Sequence, residues 1–172
     1  DYALLLSDNS GLFNIKKKGE FGNRFMSLRK ITTSIRDLDL SDAENAKLNL
    51  EMGQAAFASE KFFYAEKKFI TARSYFEKAN MISDFGYLKT IANQGLLYTT
   101  MGRFSQAEKF TADALTMRQE KLGSNNLALA ASYNNYGVLH YNIGQYNKKK
   151  KDFTEAIKVI KANSQQAEMP YS

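Results

Sequence analysis

Three glycines set the frame of this chain: Gly53, Gly95 and Gly137 follow one another at steps of 42 residues. A fixed step of this length is the mark of a repeat architecture, in which each unit buries its apolar face only against its neighbours. Other columns keep the step. Phe62, Phe104 and Tyr146 form an aromatic series, and Ala72, Ala114 and Ala156 a small-residue series. Phe69 and Phe153 match with Thr111 between them, and Gly102 and Gly144 match with Glu60 in the equivalent place.

Each block reads as two helices. From Tyr87 to Met101, the residues Leu88, Ile91, Ala92, Gly95, Leu96 and Tyr98 recur at helical spacing. Met101-Gly102-Arg103 reads as a turn, where glycine accepts left-handed backbone. Ser105 with Glu108 is expected to open the second helix as a capping box, and Ser41 with Glu44 to open the first clear block in the same way. Glycine inside a helix costs about 1 kcal/mol against alanine. Three such glycines point to a close helix crossing, and the alanines of the second helix are the expected facing surface. The fold class that follows is all-α: a right-handed α-solenoid of antiparallel helical hairpins.

The boundaries expected are 1–40 for a degenerate N-terminal hairpin or cap, with helices near Tyr2–Lys17 and Gly22–Leu38, and 41–83, 84–124 and 125–165 for three hairpins. Residues 166–172 read as the start of a further, truncated repeat. The chain opens at Asp1 without methionine and stops at a repeat boundary, so it is expected to be a piece of a longer protein. Lys149 stands where Ala65 and Ala107 stand in the other blocks, inside the run Lys148 to Lys151. That departure predicts a local shift of helix phase or a looser last hairpin.

The pattern resembles the tetratricopeptide repeat, whose signature runs W-x2-L-G-x2-Y, then A-x3-F, then a late proline. Gly95-x2-Tyr98 carries the first half, and Ala65-x3-Phe69 with Ala72 the second. The 42-residue form, with Ala114-Leu115-Thr116-Met117-Arg118 running into Glu120-Lys121-Leu122-Gly123, and with Tyr133-Asn134-Asn135-Tyr136-Gly137, is similar to the kinesin-light-chain type. The resemblance covers about residues 41 to 165. It implies a scaffold that holds a protein or peptide segment on a concave wall made by the first helix of each hairpin, the segment coming from another protein or from another domain of the same full-length chain.

Counting from the glycines, that wall should contain Lys47, Leu50, Glu51, Gln54 and Phe57, then Lys89, Ala92, Asn93, Leu96 and Thr99, then Ala131, Asn134, Asn135, Val138 and Tyr141. In the kinesin-light-chain type, asparagines just before the glycine line the peptide groove. Asn93 and Asn135 occupy that place, and Glu51 departs from it. An asparagine amide both donates and accepts, as an extended peptide backbone requires. The same asparagines also fit hydrogen bonding between helices.

Other function classes find less. The chain has no cysteine and a single histidine, His140, which falls where the motif expects a packing aromatic. Zinc-site spacing, a phosphate loop and a G-x-S-x-G elbow are absent, so no catalytic residue, metal site or cofactor is expected, and the reading is a non-enzyme. No apolar run approaches the roughly 20 residues of a membrane span. The net charge of +6 leaves open a basic surface for nucleic acid or another anionic partner, through Lys16–Lys18, Arg24, Arg29, Lys30 and Lys148–Lys151. Against nucleic acid, no aromatic stacking motif is visible beside these residues. A spacer or end-to-end self-association role is the third reading, since a terminal hairpin exposes an apolar edge.

Overall fold

The computed structural model describes residues 40–123 and 126–168, together with residues 23, 25–27 and 29–30, which are helical. The helix expected near Tyr2–Lys17 lies outside the described residues, as does most of the one at Gly22–Leu38. Six helices follow in order: α1 (Asp42–Ala58), α2 (Phe62–Lys78), α3 (Phe85–Thr100), α4 (Phe104–Leu122), α5 (Leu127–Asn142) and α6 (Tyr146–Glu168). They pair as α1–α2, α3–α4 and α5–α6, and each hairpin packs on the next. The architecture is an all-α solenoid of antiparallel hairpins.

The first helix of each hairpin starts on a side-chain cap. Ser41 and Glu44 form the reciprocal box before α1: the Glu44 N–H donates to Ser41 Oγ at 3.3 Å, and the Ser41 N–H donates to Glu44 Oε2 at 2.9 Å. The Ser41 hydroxyl, which donates to Glu44 Oε2 at 2.6 Å, and after it the Ser41 N–H hold the Glu44 carboxyl below the usual carboxylate range. Asp84 caps α3 by accepting from the Gly86 N–H, and Asn126 caps α5 by accepting from the Ala128 N–H. These caps satisfy donors that have no partner within the helix.

The second helices start differently. α4 begins at Phe104, two residues before the start that an N-cap at Ser105 implies, and its N-cap, Arg103, makes no side-chain cap bond. The capping box of Ser105 with Glu108 is therefore not the start signal. The turn itself does that work through one backbone pattern used three times. The N–H groups of Lys61, Arg103 and Gln145 donate back to the carbonyls of Ala56, Tyr98 and His140, at 2.9, 2.9 and 2.8 Å. The N–H groups of Glu60, Gly102 and Gly144 donate to Phe57, Thr99 and Tyr141. This is the Schellman arrangement, which needs left-handed backbone at its middle residue. Gly102 and Gly144 supply it at φ 71° and 76°, and Glu60 is forced into it at φ 57°.

The helical glycines mark the crossings inside the hairpins, but the facing residue is not the alanine column. A Cβ at Gly53 would lie 2.5 Å from the Phe69 ring, and one at Gly137 would strike Phe153. At Gly95 it would lie 2.6 Å from Thr111 Oγ1 and 3.0 Å from the Thr111 backbone nitrogen. The partner is thus the column 69/111/153, three residues before Ala72, Ala114 and Ala156, which are buried alongside. With threonine in place of phenylalanine, α3 and α4 come together backbone to side chain.

Lys149 causes no slip in the last hairpin. Phe153 still sits on Gly137, and Ala156 is still buried. The lysine stem leads its ammonium out over two tyrosine rings instead of into the helix contact.

Replacing Glu60 by glycine is expected to stabilise the array by about 1 kcal/mol, because it removes the cost of a Cβ in left-handed backbone. Urea unfolding of Glu60→Gly against the parent chain measures this. An unchanged or lowered midpoint would contradict the turn account.

Candidate functional site: the wall of first helices

α3 touches both α1 and α5, so the three first helices form one continuous wall. Its central member is flanked on both sides, and burial follows from that position. In α1, Lys47 is exposed, Glu51 and Gln54 are half-buried, and Leu50 and Phe57 are buried. In α3, Lys89 is half-buried, while Ala92, Asn93, Leu96 and Thr99 are buried. In α5, Ala131 and Asn135 are buried, Asn134 and Val138 are half-buried, and Tyr141 is exposed. The residues expected along the wall are therefore of two kinds: a sunken set that includes nearly all of those on α3 together with Leu50, Phe57, Ala131 and Asn135, and an accessible set found mainly on α1 and α5.

The sunken set carries amides without protein partners. Asn93 is only 1% exposed, and neither its Oδ1 nor its Nδ2 makes a hydrogen bond within the described residues. Asn135 Oδ1, one repeat further on, is in the same state, and so are both amide atoms of Gln94. An unsatisfied buried polar group costs about 1–3 kcal/mol. Native interiors hold few such groups, so a cluster of them along the first helices calls for a physical reason.

Two further polar positions matter, of which Arg118 was not singled out from the sequence. Arg118 is fully buried in α4. Its Nη1 donates to the Ala128 carbonyl at 3.0 Å and to Ser132 Oγ at 2.8 Å, joining the second hairpin to the third, while Nε and Nη2 have no partner among the described residues. Burial pushes the guanidinium down to about 10, so it stays charged at neutral pH. The repeat step could have exposed it, because the same column holds Phe76 and Ile160. The second position is His140, buried in α5 with its Nδ1 2.5 Å from Asp152 Oδ2 on α6 and its ring stacked on Tyr136. One repeat earlier the same two columns hold the ring pair Tyr98 and Phe110, with centroids 5.4 Å apart. The hydrophobic contact of the second hairpin has become a polar one in the third.

The wall has unlike ends. Glu51 lies at the α1 end. At the α5 end, Tyr141 leads to the α5–α6 turn and the four lysines of early α6. Among the described residues, no group of three or more His, Cys, Asp or Glu could hold a metal ion, and no helix is long and apolar enough to cross a membrane.

A guanidinium in an otherwise apolar column costs desolvation that two neutral acceptors offset only in part. Arg118→Met is expected to raise stability by about 1 kcal/mol or more. The urea midpoint checks it, and a clear drop would show that the two hydrogen bonds outweigh the burial of charge.

Comparison with known proteins fits this geometry. The family model described as tetratricopeptide repeat matches residues 87–162. Among solved structures, the crystal structure of BtubC (BKLC) from P. vanneervenii is similar in fold, with a TM-score of 0.64 at 15% sequence identity, over 91% of this chain and 79% of that one. No curated protein matches the chain in sequence.

Proposed function

Because the chain is a member of the tetratricopeptide repeat family, matched over residues 87–162, we propose that it is a protein-interaction scaffold holding an extended peptide segment along the wall of α1, α3 and α5. The segment belongs to another protein or to another domain of the same full-length chain. Tetratricopeptide repeat proteins are typically scaffolds without catalytic activity, which supports the general part of this reading.

The observation that carries the specific part is the Asn93 amide, sunken in the wall with both its donor and its acceptor unused. An extended backbone presents one donor and one acceptor per residue and can satisfy such an amide on both sides once the side chain, buried in the free wall, turns outward. Asn135 repeats the unused acceptor one step further, and the accessible residues Gln54, Asn134 and Val138 flank the same path. The cost of the unpaired amides in the free protein would be recovered on binding, which is how a site of this kind favours its ligand. At the α1 end half-buried Glu51 stands beside exposed Lys47, whereas the lysines make the α5 end basic, so a bound segment has a preferred direction.

Peptides selected from a random library against the wild-type array provide the test. They are expected to lose at least about tenfold in affinity toward Asn134→Ala combined with Val138→Lys, two accessible positions whose change leaves the helical fold intact. An Asn93→Ala and Asn135→Ala pair should weaken them as well, since each buried polar contact is worth about 1–3 kcal/mol. Equal affinity for parent and both variants, at unchanged helical content, would remove the groove from the account.

A further inference from the structure

The turn of the third hairpin differs from its two equivalents in its exposed rings and its charge. In the first hairpin the pair at the turn is Phe57 and Phe62, with Phe57 buried. In the second it is Thr99, buried, and Phe104. In the third it is Tyr141 and Tyr146, 57% and 61% exposed, with ring centroids 6.2 Å apart at an interplanar angle of 63°. Where the other hairpins place the fully buried Ala65 and Ala107, this one has Lys149, whose Nζ lies 5.1 Å from the Tyr141 ring centroid and 5.5 Å from that of Tyr146. Sequence reading found no stacking aromatics beside the lysines. The fold brings both rings to them, Tyr141 from the end of α5.

The charge here is uncompensated. No acidic residue stands between Gly144 and Lys151, and the next, Asp152, points to His140. Lys148, Lys150 and Lys151 are exposed. Cations in a first helical turn oppose the helix dipole, whereas α1 opens with Asp42 and Glu44 as the dipole favours. Early α6 therefore holds a concentration of positive charge at a cost in stability, against two exposed ring faces.

We propose that this turn binds single-stranded nucleic acid, with Tyr141 and Tyr146 as stacking platforms for bases and Lys148, Lys150 and Lys151 as phosphate contacts. The ligand class follows from the pairing of features. A single strand alternates phosphate charge with free planar bases, and sites for it combine a basic surface with aromatic faces. An acidic peptide answers the lysines but not the paired rings. A duplex keeps its base faces stacked inside and out of reach of the tyrosines. The site goes beyond the peptide groove and shares with it Tyr141 and the lysine charge at the α5 end.

Fluorescence anisotropy with a labelled 12-nucleotide oligothymidylate tests the proposal, with the matching duplex and an oligoglutamate peptide as competitors. The single strand is expected to bind at low salt and to weaken steeply as salt rises, because contacts to phosphate release counterions. Tyr146→Ala should lower affinity about tenfold, the size of one lost base stack. Lys148→Glu with Lys151→Glu should abolish binding while raising the melting temperature, so loss through unfolding is recognised. Absence of binding at low salt, equal affinity of Tyr146→Ala, or stronger competition by duplex or oligoglutamate would each overturn it. Peptides held by the groove should bind Tyr146→Ala normally, so the two sites fail separately.

Discussion

The array rests on a steric constraint: within each hairpin, the first helix must approach the second so closely that only hydrogen fits at Gly53, Gly95 and Gly137. An aromatic ring from the second helix lies over the first and third of these glycines. Thr111 lies over the second, with its hydroxyl buried and unbonded to protein. Because the contact recurs every 42 residues, it fixes the same crossing each time, and the regular wall of first helices follows. The Schellman turns act with it. They close each hairpin by backbone bonds alone, and so leave the turn side chains free to differ from repeat to repeat.

Along the array, apolar contacts give way to polar ones. Phe76 fills the joint between the first and second hairpins, packing on Gly86 and edge-on to Tyr87. The equivalent joint between the second and third is held by Arg118 through hydrogen bonds to Ala128 and Ser132. Tyr98 against Phe110 becomes His140 against Asp152. The buried unpaired amides lie on the first helices of the second and third hairpins. Ion pairing also reaches across units, as Arg103 at the α3–α4 turn holds Glu66 of α2 at 2.6 Å and covers the Tyr98 ring. The repeat is thus uniform in backbone and graded in chemistry, and the features that suggest binding gather toward the third hairpin.

Much of this architecture was legible in the sequence because its cause is periodic. A glycine forced by a close crossing must reappear at each crossing, and a left-handed turn position selects glycine at two of its three occurrences. The Ser41–Glu44 cap was legible because its signal is local. The Ser105–Glu108 signal was equally local and failed, because the Schellman turn had already fixed the start of α4 two residues earlier. Facing partners were misread by three residues, since spacing alone does not tell which of two inward columns lies over a glycine. The wall residues share one helical face in sequence, but their exposure depends on whether a helix has one neighbour or two, which no single repeat encodes. Arg118 and the Tyr141–Tyr146 pair became visible only when columns were compared in three dimensions.

A thermodynamic cycle at one crossing tests the central constraint most directly. Equilibrium unfolding free energies would be measured for the parent, Gly53→Ala, Phe69→Ala and the double variant. If the ring over Gly53 sets the helix approach, alanine at 53 destabilises the parent by about 1–3 kcal/mol through overpacking. In the Phe69→Ala background the same change should stabilise, by about 1 kcal/mol, since the methyl group enters vacated space and alanine favours the helix. A reversal of sign is the expected result. Destabilisation of similar size in both backgrounds would contradict the account, and would show that the glycine answers to something other than the crossing.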